Sequence, residues 1–205
     1  MSRGYLLGLD GGSSSTKAVI FDTQGHVVGI GRESSRLEHP QAHWVERDMN
    51  ATWASATAAI RNALAAAKLD GDEILAVGVT GHGDGLYPLD RKGEPLGQAI
   101  TSLDSRAAGM VERWCREGVR DEALARIGQT PFAFSPVTLL AWMQDHQPER
   151  FAALGHVLTC KDWLRFKLTG TVATDFTESS TGYTDVETQR YSRDALSMLR
   201  IDGAF

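Results

Sequence analysis

The hydrophobic pattern of the chain opens with three short strands. Aliphatic and β-branched residues fill residues 5–9, 17–21 and 26–30, and glycine-rich or polar turns separate these three runs. Such residues favour extended backbone, and glycines between the runs favour tight turns. The pattern therefore predicts an N-terminal β-meander.

A helix and a fourth strand follow the meander. Asp48 precedes an alanine-rich segment and is a favoured N-cap residue, because its carboxylate accepts hydrogen bonds from the first free N–H groups of a helix. The larger residues of that segment recur at helical spacing: Trp53, Thr57, Ile60 and Leu64. We predict that the helix ends near Lys68 and that residues 74–79 form a short buried strand. Three strands, a helix and a further strand indicate an α/β fold.

The second half of the chain is predicted to be mostly helical. The predicted elements are helices at about residues 105–117, at 136–146 and at 162–168, and a short strand at 156–159. Ser135 is the expected cap of the second helix, with Pro136 in its first turn. Gly170 is expected to end the third helix.

Composition narrows the class of protein. With 205 residues and 42% hydrophobic residues, the chain can bury a sizeable core, so one large domain is expected. The formal net charge is −5 and basic residues do not cluster, which disfavours nucleic acid as a partner. The apolar run at residues 4–9 is too short for a signal peptide or a membrane span, so we expect a cytoplasmic protein without membrane contact. Cys115 and Cys160 have no partners at metal-ligand spacing and are expected to be buried, reduced thiols.

A glycine- and hydroxyl-rich turn joins the first two predicted strands. Its sequence over residues 9–17 is Leu-Asp-Gly-Gly-Ser-Ser-Ser-Thr-Lys. Glycines let a backbone approach a phosphate, N–H and hydroxyl groups donate to its oxygens, and Asp10 at the strand end can hold Mg²⁺ through water. The spacing is neither that of a Walker loop nor that of a dinucleotide fingerprint, and no helix follows whose dipole would assist. Two interpretations stay open here: a nucleotide-phosphate site and a plain soluble hairpin.

Two further polar segments are candidates for binding. Three glycines surround His82 and Asp84 after the predicted strand at residues 74–79, and strand ends of this kind present ligand-binding groups in α/β sheets. Paired donors and acceptors suit the hydroxyls of a polyol, although a solvated turn fits the same residues. Asp104 precedes a predicted helix and is a candidate N-cap, with Arg106 on the helix surface.

Five segments, in order, resemble the FGGY family of carbohydrate kinases, a branch of the actin-like ATPase superfamily. They are residues 9–17, 40–48, 79–86, 99–106 and 161–180, the second containing Trp44, which is expected to pack beside the capped helix. The resemblance implies an α/β fold of the actin-like (ribonuclease H-like) type, whose mixed sheet opens with the β-meander and is flanked by helices. His82, Gly83 and Asp84 replace the Gln-Met-His of the common D-xylulose kinase pattern, and Ser102 replaces its tryptophan. The sugar pocket is therefore expected to differ from that of a D-xylulose kinase.

The activity that the resemblance implies is transfer of the γ-phosphoryl group of ATP, with Mg²⁺, to a hydroxyl of a small sugar. The acceptor would be a ketose, such as xylulose or L-xylulose, or a polyol. Asp10 would position Mg-ATP through water. The residues implied at the phosphates are Gly11, Gly12, Ser13, Ser14 and Lys17, the last of which either adds a charge or merely flanks its strand. Those implied to orient the acceptor or brace its site are His82, Asp84, Asp104 and Arg106.

The resemblance also implies that residues 1–205 are the N-terminal, sugar-binding domain of a two-domain kinase. The general-base aspartate and the ATP-binding second domain have no counterpart in this chain, and residues 201–205 carry no clear stop signal. The fragment alone is thus expected to be inactive. Expected partners are the sugar or polyol, ATP, the C-terminal kinase domain and a second copy in a homodimer. Two other functions stay open: another actin-like ATPase, and a noncatalytic sugar-binding or assembly module.

Overall fold

The computed structural model describes residues 4–202, so residues 1–3 and most of the segment predicted to lack a stop signal lie outside it. The strands are β1 (Tyr5–Gly11), β2 (Ser15–Phe21), β3 (Val27–Ser34), β4 (Glu46–Arg47), β5 (Ile74–Gly81), β6 (Tyr87–Leu89), β7 (Ala99–Ile100) and β8 (His156–Leu158). The helices are α1 (Met49–Ala67), α2 (Ala108–Arg116), α3 (Val119–Ile127), α4 (Pro136–His146), α5 (Pro148–Ala152), α6 (Cys160–Thr169), α7 (Phe176–Ser179) and α8 (Arg193–Met198). No helix in this range is long and apolar enough to cross a membrane.

The main sheet is mixed and has the order β3-β2-β1-β5. β1, β2 and β3 form the predicted antiparallel meander, and β5 lies parallel to β1 after the crossover through α1. Two small antiparallel pairs, β4 with β7 and β6 with β8, extend the structure beyond this sheet. Parallel pairing of β1 and β5 places both of their C-terminal ends at the same end of the sheet.

Helix α1 packs closely against the meander. A Cβ on Gly31 of β3 would lie 1.9 Å from the Ala59 carbonyl oxygen, so glycine is required for this approach. The buried residues in the middle and C-terminal part of α1 are alanines, namely Ala56, Ala59 and Ala63. Asp48 caps the helix by accepting from the Ala51 N–H at 2.7 Å, and Lys68 ends it with a left-handed φ of 57°, as predicted.

Strand β5 is not the buried strand that its apolar sequence predicts. Leu75 is 67% exposed and Val77 is 43% exposed. The reason lies in the topology: β5 is the edge strand of the main sheet, and no further strand pairs with its outer edge within the described residues. An apolar run therefore predicted the strand correctly but not the degree of its burial.

The helices of the second half differ from the prediction in number and in length. The helix expected at residues 105–117 is the shorter α2, and an unpredicted α3 follows Gly118, whose φ of 78° interrupts the helical path. Helices α4 and α6 and strand β8 lie where predicted, and Gly170 ends α6 in the left-handed region. Ser135 does not cap α4 with its side chain, because its hydroxyl accepts instead from the Phe132 N–H at 2.9 Å.

Two apolar clusters form the core. One lies between the main sheet, α1 and α6, where the Trp163 indole N–H donates to the Met49 carbonyl at 2.8 Å. The other joins α2, α3, α4 and α8 around Trp114. Cys160 is buried in the first cluster as predicted, whereas Cys115 is exposed. Neighbouring residues on a helix point in different directions, so Trp114 takes the buried side of α2 and leaves Cys115 outside.

Candidate functional site

The glycine-rich turn and the end of β5 lie side by side. β1 ends at Gly11, whose register partner on β5 is Gly81. The backbone N–H of His82, the first residue after β5, donates to the Gly11 carbonyl at 3.1 Å. The candidate phosphate and sugar segments are therefore directly bonded neighbours.

The turn offers free donors. A Cβ on Gly12 would lie 2.8 Å from the Ser15 carbonyl oxygen, so a side chain there would displace the turn. The Ser35 N–H donates to the Ser14 carbonyl at 3.0 Å and fixes one side of the turn. Within residues 4–202, the backbone N–H groups of Ser13 and Ser14 have no protein acceptor. These two amides and the two serine hydroxyls are the kind of group from which phosphate oxygens accept.

Asp10 and Lys17 flank this turn as register partners on β1 and β2. Opposed residues of antiparallel strands lie on the same face of a sheet, and Lys17 is exposed there. The Asp10 carboxylate lies against the turn, since its Oδ2 would be 3.8 Å from a Cβ on Gly12. One carboxylate suits Mg²⁺, which keeps several waters and takes one or two carboxylates besides the substrate phosphates. Asp10 is thus the residue that fits the implied ion.

A buried cation lies beneath the turn. Arg47 on β4 is 2% exposed, and its Nη2 donates to the carbonyls of Gly12 at 3.2 Å and Ser13 at 2.5 Å. Its Nε and Nη1 are buried without a hydrogen-bond partner. Arg47 was not predicted as a site residue, because an arginine between two acids before a helix has the pattern of an ordinary surface charge.

His82 is a neutral hydrogen-bonding group. Its Nε2 lies 3.1 Å from the Tyr87 hydroxyl. Burial, and to a smaller extent the nearby charge of Arg47, together lower the pKa of His82 to about 4. At pH 7 the imidazole is therefore uncharged, with one ring nitrogen as donor and the other as acceptor.

We expect the His82 imidazole to titrate with a midpoint near 4 instead of 6.5. Between these values the unfolded chain takes up a proton that the folded chain does not bind, so this group lowers the free energy of unfolding as the pH falls from 6.5 towards 4. NMR titration of the histidine ring protons measures the midpoint, and a His82→Gln variant assigns the resonance. A midpoint near the ordinary histidine value would contradict the burial of this side chain.

Asp84 has no protein partner. Its carboxylate is half-buried and makes no hydrogen bond or ion pair within residues 4–202, and burial raises its pKa. Its φ of 56° is left-handed, a conformation that aspartate and asparagine tolerate better than most residues. A Cβ on Gly85 would lie 2.5 Å from the Ile100 carbonyl oxygen, so glycine lets the chain turn tightly here. The turn thus presents an unpaired acid next to the end of β5.

Two further buried polar atoms without hydrogen-bond partners, the Glu178 Oε2 and the Tyr183 hydroxyl, lie beside this acid. Glu178 on α7 is 6% exposed; its Oε1 is 3.2 Å from the Lys161 Nζ, and its Oε2 has no partner. The same Oε1 would be 4.0 Å from a Cβ on Gly83, so Glu178 packs against the turn. The Tyr183 hydroxyl is also buried without a partner, and its pKa is raised by burial and, to a smaller extent, by the nearby Tyr191, Glu178 and Asp84 in that order. A cavity of about 200 Å³ is lined in part by Glu178 and Tyr183.

Neither of these residues was predicted to take part in binding. Glu178 lies in a polar segment that the sequence assigns to scaffold, and Tyr183 follows it in a loop without a distinctive pattern. Glu178 and Tyr183 lie beside the end of β5 because α7 packs there, and no local sequence pattern predicts that packing. That the Glu178 Oε2 and the Tyr183 hydroxyl lack hydrogen-bond partners is visible only in the three-dimensional structure.

Asp104 and Arg106 form a buried network. The Arg106 side chain is 0% exposed and bonds both Asp104 carboxylate oxygens, with Nη2 at 2.8 Å from Asp104 Oδ2 and 2.8 Å from Glu46 Oε1. Its guanidinium also lies 3.7 Å from the centre of the Trp44 ring. The same Asp104 Oδ2 also accepts the Val45 N–H at 2.7 Å. This network ties the segment after β7 to the segment before β4.

Three local interpretations of this region are wrong. Asp104 is not the N-cap of a helix, because α2 begins only at Ala108; its carboxylate accepts from the Arg106 N–H two residues on, from the Arg106 guanidinium and from the Val45 N–H. Arg106 is not a surface residue. Trp44 does not pack beside α1; it packs against Arg106 and Trp142, with 5.3 Å between the two indole ring centres. Tertiary ion pairing outweighs the local capping preference at Asp104.

Comparison with known proteins agrees with this architecture. Residues 5–204 match the N-terminal domain of the FGGY family of carbohydrate kinases. The L-xylulose/3-keto-L-gulonate kinase of Escherichia coli (strain K12) is 40% identical over 166 residues, covering 81% of this chain and 33% of that protein. The glycerol kinase of Thermococcus onnurineus (strain NA1) is 34% identical over 180 residues, covering 86% of this chain and 36% of that protein. The crystal structure of gluconate kinase from Lactobacillus acidophilus aligns with a TM-score of 0.90 at 25% identity, covering 98% and 40%.

The mixed sheet that opens with a meander and is flanked by helices is the actin-like ATPase fold, as predicted. Within that class, the chain belongs to the FGGY family of carbohydrate kinases. It spans 33% of the length of the first relative and 36% of the second. Both the family and the fold class predicted from the sequence are confirmed. The individual site residues and the domain organisation stay predictions.

Proposed function

We propose that this chain is the sugar-binding domain of a kinase that transfers the γ-phosphoryl group of ATP to a hydroxyl of a small ketose or polyol. The observation that carries this proposal is a cluster of polar atoms without protein partners beside the end of β5, namely the Asp84 carboxylate, the Glu178 Oε2 and the Tyr183 hydroxyl. Buried polar groups ordinarily have hydrogen-bond partners, and a polyhydroxy acceptor would supply them. The adjacent glycine-rich turn would supply donors to the phosphates.

The nucleotide phosphates are proposed to bind at this turn. Its backbone approaches closely because glycine is required there, and its free amides and hydroxyls donate to phosphate oxygens. Asp10 would hold Mg²⁺ through water, and the ion would offset the charge that develops on the transferred group. The other residues proposed at the phosphates are Gly11, Gly12, Ser13, Ser14 and Lys17. The protein's contribution is mainly positioning and charge stabilisation.

The acceptor is proposed to bind at the end of β5. Asp84 would accept from its hydroxyls, and His82 would contribute a neutral donor or acceptor. Asp104 and Arg106 are proposed to brace the site without touching the acceptor, because their side chains are buried and engaged with each other. Gly85, in the turn after β5, packs on the end of β7, just before Asp104 and Arg106 in the chain. It therefore connects that turn to the Asp104–Arg106 network.

The remaining parts of the active site are proposed to lie in a C-terminal domain. This chain covers about two fifths or less of the relatives reported above, and the general base and the ATP-binding domain are expected in the rest. Residues 1–205 alone should bind sugar weakly and should not turn over ATP. A cytoplasmic location and a homodimer remain predictions from the sequence.

An L-xylulose-like ketose is the first candidate acceptor. The relative that is 40% identical is an L-xylulose/3-keto-L-gulonate kinase, and His82-Gly83-Asp84 departs from the pattern of D-xylulose kinases. A small polyol is the second candidate, because the relative that is 34% identical is a glycerol kinase. Both acceptors present the adjacent hydroxyls that the unpaired groups need.

The test compares residues 1–205 with the longest translation product that contains them. Both are assayed for ADP release against a panel of pentuloses, tetritols and glycerol. We expect sugar-dependent ADP release only from the longer chain, with L-xylulose preferred. Phosphorylation by residues 1–205 alone would contradict the need for a second domain. Sugar-independent ATP turnover would favour another actin-like ATPase, and sugar binding without any ADP release would favour a noncatalytic module.

A further inference from the structure

A buried arginine without an acidic partner lies under the glycine-rich turn. Arg47 is 2% exposed and takes part in no ion pair within residues 4–202. Its Nη2 donates to the carbonyls of Gly12 and Ser13, its Nε and Nη1 have no hydrogen-bond partner in good geometry, and the Tyr87 and Cys160 side chains lie beside it. Buried charges are ordinarily paired, because desolvation of an isolated charge is costly. A positive charge is therefore held beneath the turn without a direct ion pair, although the Asp10 carboxylate is near enough to act on the same His82 and Cys160 side chains.

The contacts of Arg47 determine which way the turn presents its amides. The described peptide bonds include none in the cis form, so each C=O points opposite to the N–H of the same peptide unit. The Gly12 carbonyl shares its peptide unit with the Ser13 N–H, and the Ser13 carbonyl shares its unit with the Ser14 N–H. Because Arg47 binds both carbonyls, both N–H groups point away from it. These are the two amides that have no protein acceptor.

We infer that Arg47 is a positioning residue for the nucleotide phosphates. It holds the Gly12 and Ser13 carbonyls so that the Ser13 and Ser14 amides face outward, and its unpaired charge attracts anions to the same side of the sheet. This inference rests on the proposed function of the turn. A phosphate group at the turn would bring further negative charge close to this cation, which makes no direct ion pair with the protein.

The test measures phosphate binding at the turn amides directly. Residues 1–205 labelled with ¹⁵N are titrated with Mg-ATP and, separately, with inorganic pyrophosphate, and the Ser13 and Ser14 amide resonances are followed. Arg47→Met removes the charge and both hydrogen bonds, whereas Arg47→Lys retains the charge and loses the planar fork. Arg32→Met is the matched control, because Arg32 is an exposed arginine on β3 of the same sheet.

We expect saturable shifts of both amides in the unmodified chain and in Arg32→Met. Arg47→Met should bind both ligands at least about 10-fold more weakly, and Arg47→Lys should lie between, since charge-assisted contacts are the stronger ones. If Arg47→Met does not fold, Arg47→Lys decides: weaker binding with a native spectrum supports the inference, and unchanged affinity overturns it.

The results distinguish a failure of the Arg47 role from a failure of phosphate binding at the turn. If Mg-ATP leaves the Ser13 and Ser14 amides of the unmodified chain unshifted, the phosphate role of the turn fails, and the role of Arg47 fails with it. If the unmodified chain binds and Arg47→Met binds equally well, only the inference about Arg47 is overturned. A lower melting temperature with unchanged affinity would mean that Arg47 is merely structural.

Discussion

Replacing Asp104 with alanine is expected to lower the free energy of unfolding by about 3–5 kcal/mol. Its partner Arg106 has a side chain that is 0% exposed, so the guanidinium would remain buried with Glu46 as its single acidic neighbour. The Val45 N–H would also lose the acceptor that it contacts at 2.7 Å. Breaking a buried pair from one side is costly because it leaves an uncompensated charge and an unmatched donor.

The matched control is a surface pair of the same chemistry. Arg113 and Asp145 lie 3.0 Å apart, with side chains 43% and 40% exposed, so Asp145→Ala should cost at most about 1 kcal/mol. Urea unfolding followed by tryptophan fluorescence measures both variants. Adding Arg106→Met to Asp104→Ala should recover part of the loss, because the buried charge is then removed. Equal destabilisation by the two alanine variants would contradict the structural role of the Asp104 network.

The secondary structure that the sequence predicted best is the part specified by local chemistry. Asp48 caps α1 and Gly170 ends α6 because capping depends only on the neighbouring backbone. The meander follows from alternating apolar runs and tight turns, which also act over a few residues. The pattern could not reveal the two-residue strands β4 and β7, whose pairing joins segments more than 50 positions apart.

Burial was the property least visible in the sequence. The apolar run of β5 indicates a covered strand, yet Leu75 is 67% exposed because the strand lies at a sheet edge. Conversely, Arg47 and Arg106 are of a residue type that usually lies at the surface, yet both are buried. Local pattern reports which conformation a segment prefers, whereas burial depends on which distant segments pack against it.

The candidate site shows the same division. A turn rich in glycine and serine was recognisable locally, and the family resemblance favoured a phosphate site over a hairpin. Asp84 was also recognisable, because three glycines leave few side chains to contribute. Glu178 and Tyr183 could not be found, since their relevance lies in missing partners and in proximity to a turn about 100 positions earlier.

Replacing Asp84 with asparagine is expected to lower kcat/KM for the sugar about 100-fold, since a hydrogen bond to a charged group contributes about 1.5–3 kcal/mol. The substitution keeps the shape of the side chain and suits the left-handed backbone at φ 56°. Because Asp84 has no hydrogen bond or ion pair within the described residues, the melting temperature should stay unchanged. Loss of activity without loss of stability is the signature of a ligand contact.

The measurement is sugar-dependent ADP release by the longest translation product, with KM and kcat determined separately. Asp72→Asn is the control, because Asp72 is an exposed acid in the turn before β5 and is far less enclosed than Asp84. Unchanged kcat/KM in Asp84→Asn would remove Asp84 from the acceptor site. A large fall in melting temperature would instead assign it a structural role. If activity falls while stability is unchanged, the sugar supplies the hydrogen bonds that the protein does not give to the Asp84 carboxylate.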